Sequence, residues 1–237
     1  MRFGVLIDSS CDAPPAMLAD PRVRVLPIHA FIGDQAFVED RSENVRTSFV
    51  SLGAAAGWKI EVDTAPFSRD ETAQFVLDHL ATEFDYVFAI VATRTRSAIY
   101  QNLMDVALTL QPQITKRRAA AERRGPFRIQ VADMSAMFAG HAVIAQAVLD
   151  ALDRNELTTT ISRKLEQEWV KNACGYFVPS GLRQLFEKAR KRGDKSVSML
   201  SFALGSALDI KPIVRGRDGT TGPVAKVRHL ANAIADM

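Results

Sequence analysis

The sequence predicts an α/β protein, with a parallel-sheet N-terminal domain over residues 1–155 and a smaller α+β domain over residues 156–237. Three observations predict it. Short, almost continuously apolar runs such as "DYVFAIVA" alternate with segments of helical period, the signature of a parallel sheet covered by helices on both faces. Polar residues gather where those runs give way to helices. After "NELTTT" the pattern changes to strand–turn–strand units mixed with charged helices, which marks a second domain beginning near Glu156.

"RFGVLID" is a short apolar run ending on Asp8, a buried strand, and "SSCDAPPAMLAD" supplies Ser and Asp caps and prolines ahead of a helical turn. "VRVLPIHAFIGDQAFVED" reads as strand, "GD" turn and second strand, a hairpin. "ENVRTSFVSLGAAAG" has a helical pattern, and "KIEVDTAPF" is a short strand running into a loop. "SRDETAQFVLDHLATEF" is a capped amphipathic helix, and "DYVFAIVA" is the clearest buried strand in the chain. The helix "SAIYQNLMDVALTLQ" follows it, with "TKRRAAAERRGP" as a solvated helix extension and loop. "FRIQVAD" is the next strand, and "AGHAVIAQAVLDALD" is the helix behind it. Beyond Glu156 come a charged helix in "TISRKLEQEWVKN", a strand in "ACGYFVP" and a basic amphipathic helix in "GLRQLFEKARKRG". Two strands around a "DG" turn in "SALDIKPIVRGRDGTTGPVAKVR" precede a last helix.

Composition narrows the function classes. An apolar fraction of 47% supports a real core, and the net charge of +3 is only mildly basic. Aromatic residues are scattered and do not interleave with a basic face, so nucleic acid is not expected as a partner. Cys11 and Cys174 are far apart, have no metal-ligand spacing and fit a reducing cytoplasm. The start "MRFGVLIDSS" enters a strand with no signal segment, and no apolar run reaches bilayer length. A soluble, cytoplasmic protein without a transmembrane segment is expected.

The familiar catalytic and nucleotide-binding motifs are missing: GxGxxG, GxxxxGK[ST] and GxSxG do not occur. His29, His79, His141 and His229 lack metal-ligand spacing, and His79 and His141 read as structural. No catalytic residue, metal or cofactor is expected. Four polar clusters stand at apparent strand-to-helix junctions: Asp8/Ser9/Ser10, Asp63/Thr64, Thr93 to Ser97, and Asp133/Ser135. Each reads singly as a helix cap, and together they read as the carboxyl edge of an α/β sheet, where ligands bind. In "VATRTRSAIYQNL", Ser97 falls at the expected helix start, where backbone N–H groups favour an anion. Arg94 and Arg96 add charge there or stand as solvated loop residues. Asp8 caps the next turn or, with Asp63, serves as an acid/base or metal group. The residues alone thus leave a ligand-binding protein and an enzyme for a small anionic or phosphorylated metabolite both open.

The order of the motifs resembles the DegV family of lipid-binding proteins. The TDSxxDLP-like opening of that family is similar to "IDSSCDAP", with Asp8, Ser9, Asp12 and Pro14 in place. "LPIHAFIGDQAFVED" keeps Pro27, Gly33 and Asp40 of the next stretch. The TSQPS loop falls on "DTAPF", retaining Pro66, and SSxLSGTYQSA falls on "TRTRSAIYQNL", retaining Ser97, Tyr100 and Gln101. "ADMSAMFAGHA" resembles the DSxxxSxGxG stretch, and "FVPSGLRQLFEKARK" resembles FVxxLxxLxxGGRI, with Arg190 on the family arginine. "LDIKPIVRGRDGTTGPVAKVR" follows the family's IKPIL-dG-i-K-R ending.

The resemblance implies a long-chain fatty acid or related lipid held between the two domains, its acyl chain in an apolar tunnel. Its carboxylate would lie at Ser97 and Thr64, with Asp63, Ser9, Arg94 and Arg96 around it. The bound lipid would be a ligand, and the protein at most a non-catalytic subunit presenting substrate to a fatty acid kinase, with Arg190 as a partner contact. Burying roughly ten methylenes gives on the order of 8 kcal/mol before the costs of binding, close to the ~8 kcal/mol of micromolar affinity.

Three departures qualify this. Asp63 replaces the first threonine of TSQPS, and a carboxylate about 4 Å from the head group would repel it by about 4 kcal/mol at an effective dielectric near 20. Thr64 is then the ligand with Asp63 facing away, the two carboxylates share a proton or are neutralised by Arg94 or Arg96, or the head group is not a carboxylate. Ala98 replaces a family glycine. Residues 1–237 contain no HxGPG-type histidine segment, so the resemblance supports lipid binding more strongly than a kinase partner.

Overall fold

The computed structural model of the chain describes residues 1–55, 62–179 and 210–237. In chain order, β1 (Phe3–Asp8), a single helical turn α1 (Pro15–Leu18) and β2 (Val23–Leu26) are followed by β3 (Ile28–Ile32) and β4 (Gln35–Glu39). Then come α2 (Glu43–Ala55), β5 (Val62–Pro66), α3 (Arg69–His79), β6 (Tyr86–Val91), α4 (Ile99–Thr109) and α5 (Gln111–Ala120). β7 (Arg128–Asp133) and α6 (Ala139–Asp153) precede α7 (Thr158–Lys164), which continues through a π-helical turn, Leu165–Trp169, into α8 (Val170–Asn172). The chain closes with β8 (Gly175–Phe177), β9 (Ile210–Arg217), β10 (Thr220–Arg228) and α9 (Leu230–Ala235).

β1, β2, β6 and β7 form one all-parallel sheet in the order β2-β1-β6-β7. Because side chains alternate along a strand, its two faces carry two separate cores. Val5, Ile7, Phe88 and Ile90 pack with Ile144, Val148 and Leu149 of α6 and with Ile161 and Leu165. On the other face, Leu6, Val87, Ala89 and Val91 pack with Val76 of α3, Leu103 and Val106 of α4 and Ile114 of α5. The continuous apolar runs are thus buried on both sides, as their sequence demands. α3 is fixed at its start by a capping box: Ser68 Oγ accepts the Glu71 N–H at 3.2 Å, and Glu71 accepts the Ser68 N–H at 2.8 Å.

Two other sheets are antiparallel, β4-β3-β5 and β10-β9-β8. The first departs from the sequence reading. The run "VRVLPIHAFI", expected as one strand of a hairpin, divides at Pro27. Proline has no N–H to donate to a ladder, and the chain changes sheets there. Val23–Leu26 pairs parallel with β1, whereas Ile28–Ile32 starts a new sheet with β4 across the Gly33–Asp34 turn. β5 then pairs antiparallel with β3, so Asp63 and Thr64 do not stand on the edge of the parallel sheet where the sequence placed them.

The segment "TKRRAAAERRGP" departs as well. α5 does extend the helical layer, but Arg118 is only 3% exposed. Its guanidinium donates to the carbonyls of Ala81 (2.6 Å), Phe84 (2.7 Å) and Gly125 (3.0 Å) and to Asp85 Oδ1 (2.8 Å). A buried cation is tolerated because its donors are matched one by one. The Asp85 carboxyl is held down at about 2: burial alone would raise it, but hydrogen bonds from Arg118 and Arg2 outweigh that. Arg190 and the basic helix expected around it lie outside the described residues. Among the described residues no helix is long and apolar enough to cross a membrane.

Candidate functional site

In the parallel sheet the chain leaves β1 toward β2 and later returns to β6 on the opposite side of β1. The carboxyl ends of β1 and β6 therefore mark the point where strand order reverses, the place in an open α/β sheet where loops splay apart and ligands bind. The β1 end supplies Asp8, Ser9 and Ser10, the β6 end supplies Thr93 to Ser97, and β7 supplies Asp133 and Ser135. Three of the four polar clusters seen in the sequence meet there.

Their carboxylates are engaged within the protein. Asp8 is fully buried; one oxygen accepts the Ser10 N–H at 2.9 Å and the Ser10 hydroxyl, and the other accepts the Ala92 N–H at 2.6 Å. It caps the turn after β1 and ties that turn to the end of β6. Asp133 does the same one strand along. Its Oδ1 accepts from the Arg94 N–H (3.0 Å) and the Thr93 hydroxyl (3.2 Å), and its Oδ2 pairs with Arg94 Nε at 2.8 Å. Arg94, offered by the sequence as a charge for the ligand, is thus an ion-pair partner of Asp133, with its side chain 69% exposed.

The hydroxyls differ. Ser9 is only 4% exposed; its N–H donates to the Leu26 carbonyl at 3.0 Å, but its Oγ has no hydrogen-bond partner among the described residues. Buried polar atoms are seldom left so. Ser97 is half-buried two residues ahead of α4, which begins at Ile99 and not at Ser97. Its N–H donates to the Thr93 carbonyl, closing the loop into a turn, and its Oγ lies 3.4 Å from the Ile99 N–H. Ala98 occupies the cap position without a side-chain bond, so the first turn of α4 is capped weakly.

The β5 pairing puts the two residues of the fourth cluster, both exposed, on opposite faces of their sheet. Thr64 is paired with Ala30 and Asp63 with Phe31. Neighbouring residues on a strand point to opposite faces, so Thr64 shares a face with the buried Ala30 and Ile32, and Asp63 lies on the other. Asp63 also accepts the N–H of Thr64 at 2.9 Å. The segment after β5 is tied to α4, since Asn102 Nδ2 donates to the Phe67 carbonyl at 2.7 Å.

Cys11 is buried beside this edge. Burial above all, then the nearby Asp8, pushes its thiol up to about 12; Arg41 opposes the rise and Asp12 adds to it. His141, also buried, bonds the Ala136 carbonyl through Nε2 at 2.8 Å, a structural role.

Sequence reasoning missed the residues that cover the edge from the C-terminal sheet. The β9–β10 turn sits on the β6 and β7 loops: the Gly219 N–H donates to the Ser135 carbonyl at 3.0 Å, and Thr95 Oγ1 donates to the Gly219 carbonyl at 3.0 Å. Arg96 Nη2 donates to Thr221 Oγ1 at 3.2 Å. The "DG" turn was readable, but its destination more than a hundred residues back along the chain was not.

The model of the DegV family, described as uncharacterised proteins, matches residues 2–237. A DegV domain-containing protein of Xanthomonas axonopodis pv. citri is 34% identical over 228 residues, which cover 96% of this chain and 72% of that protein. Among solved structures, a Thermotoga maritima protein reported to have a fatty acid binding function superposes with a TM-score of 0.75 at 15% identity, covering 100% of this chain and 75% of that one. The fatty acid kinase B3 protein of Streptococcus pneumoniae, solved loaded with linoleic acid, superposes with a TM-score of 0.72 at 16% identity, covering 100% of this chain and 76% of that one.

Proposed function

The chain belongs to the DegV family, and from that premise we propose that it is a fatty-acid-binding protein whose ligand carboxylate lies at the carboxyl edge of the parallel sheet. One observation carries the reading. At the point where strand order reverses, Asp8 and Asp133 are engaged internally, while the hydroxyls of Ser9 and Ser97 and the weakly capped start of α4 remain as donors. Donors without a competing carboxylate suit an anionic head group. The same engagement weakens the enzyme alternative, which needed Asp8 as an acid/base or metal group.

In this proposal Ser97 binds the carboxylate at the edge with Ser9 in support, and Thr64 reaches it from β5 beside that edge, with Asp63 on the opposite face of the same strand. Arg94 acts through Asp133 and not as the counter-charge. The acyl chain lies between residues 1–155 and 156–237, and the fatty acid takes the place that a cofactor would hold. The protein itself is non-catalytic and cytoplasmic. Presentation of the carboxylate to a separate kinase subunit, with Arg190 as a contact, is the partner role that the resemblance to the Streptococcus pneumoniae protein supports.

Mass spectrometry of solvent-extracted protein, wild type against Ser97→Ala, tests this. The expected result is a near-stoichiometric fatty acid in wild type and much less in the variant. A wild type that is empty and takes up no added oleate refutes the reading.

A further inference from the structure

We propose that Thr95 and Gly219 are positioning residues for the ligand loop: the backbone of the β9–β10 turn fixes where Ser97 stands. The inference rests on the fatty-acid reading of Ser97 given above, and goes beyond it by assigning function to a turn that need not touch the ligand.

The loop from Ala92 to Ala98 is fastened at its start, where Asp8 accepts the Ala92 N–H. On its β7 side Asp133 holds Thr93 and Arg94. Beyond Arg94, the bonds from Arg96 N–H (2.9 Å) and Ser97 N–H (3.1 Å) to the Thr93 carbonyl curl it into a turn. That turn is local and does not anchor the loop against the rest of the protein. The anchor on this side comes from the C-terminal sheet, where Gly219 takes two bonds at once. Its carbonyl accepts from Thr95 Oγ1 and its N–H donates to Ser135 at the end of β7, both at 3.0 Å. The turn thereby fastens the loop after β6 to the loop after β7, two residues ahead of Ser97.

A glycine suits this position on two counts. Asp218 and Gly219 have φ of 53° and 68°, the geometry of a two-residue hairpin turn. A Cβ on Gly219 would stand 2.9 Å from Thr95 Oγ1 and 3.5 Å from Thr93 Oγ1. The turn is also seated beyond its tip. Arg96 donates to Thr221, and on the adjacent strand β8 a Cβ on Gly175, which pairs with Gly216, would collide with the Met137 carbonyl at 2.0 Å. Docking of the C-terminal sheet and the position of Ser97 are therefore one structural variable, and linkage makes their coupling reciprocal.

The test uses the full chain with oleate as probe. Thr95→Val removes the donor and keeps the shape; Thr95→Ser keeps the donor. We expect Thr95→Val to weaken oleate binding about tenfold, the scale of one net hydrogen bond, and Thr95→Ser to stay within about twofold of wild type. Hydrogen exchange supplies the readout that a merely structural role would not move: oleate should slow exchange at the Gly219 amide. Equal affinities for the two variants, or Gly219 exchange unchanged while the Ser97 loop is protected, overturns the proposal. If wild type binds no oleate, the fatty-acid reading fails separately. Ligand-free exchange over residues 93–97 then decides the positioning: faster in Thr95→Val than in wild type supports it, and no difference overturns it.

Discussion

Replacing Asp8 by asparagine keeps the side chain's shape and changes which of its atoms can accept. Asp8 is fully buried, with one oxygen on Ser10 and the other on the Ala92 N–H at 2.6 Å. An amide has a single accepting oxygen, so its NH₂ must face the donors of either Ser10 or Ala92. The donor it faces is left unsatisfied, a penalty of about 1–3 kcal/mol, and the surviving bonds fall from charge-assisted to neutral, about 1 kcal/mol more. Relief of the buried charge offsets part of this. The net loss should be about 2–3 kcal/mol, or roughly 5–10 °C in Tm for a chain of this size. Urea unfolding followed by circular dichroism at pH 7 measures it. Asp12→Asn, at an exposed neighbouring position, is the control and should stay within about 0.5 kcal/mol of wild type. An Asp8→Asn variant as stable as that control would refute the argument that the carboxylate clamps β1 to β6.

Arg118→Met should destabilise by about 3–5 kcal/mol in the same assay, because it strands the carbonyls of Ala81, Phe84 and Gly125 and leaves Asp85 with Arg2 alone; a loss below about 1 kcal/mol would show the cluster to be dispensable. The Asp85 carboxyl lies at about 2 in the folded protein against an ordinary 3.8, so its stabilising contribution is complete above about pH 5 and is lost as pH falls through 2. Wild type should therefore lose more stability than Arg118→Met between pH 5 and pH 2, by less than about 2 kcal/mol because Arg2 still bonds Asp85 in the variant, and parallel acid limbs would contradict the assignment. Cys11, buried with its thiol near 12, should resist a thiol-specific disulfide reagent at pH 8 in the native protein, while the half-buried Cys174 reacts first and both react in urea. Equally fast reaction of both thiols in the native state would show that Cys11 is accessible.

The sequence by itself determined what depends on near neighbours. Continuous apolar runs specified strands buried on both faces, Ser68 and Glu71 specified a capped helix, and Asp218–Gly219 specified a hairpin. The carboxyl-edge clusters at Asp8, Thr93 to Ser97 and Asp133 followed from strand–helix alternation. What tertiary structure decided was everything set by pairing between distant segments. Pro27 is visible in the sequence, but the change of sheet it permits is not, and that change removed Asp63 and Thr64 from the parallel edge. The register of β5 on β3, not local chemistry, turned Asp63 to the other face. Arg118 looks like any basic helix residue until carbonyls from two separate loops, Ala81 and Phe84 after α3 and Gly125 after α5, converge on it. The contact between Gly219 and Thr95 exists only because the C-terminal sheet docks on the loop after β6. Local backbone preference is written over a few residues; strand order and hydrogen-bond partners are set by packing energies shared across the whole chain.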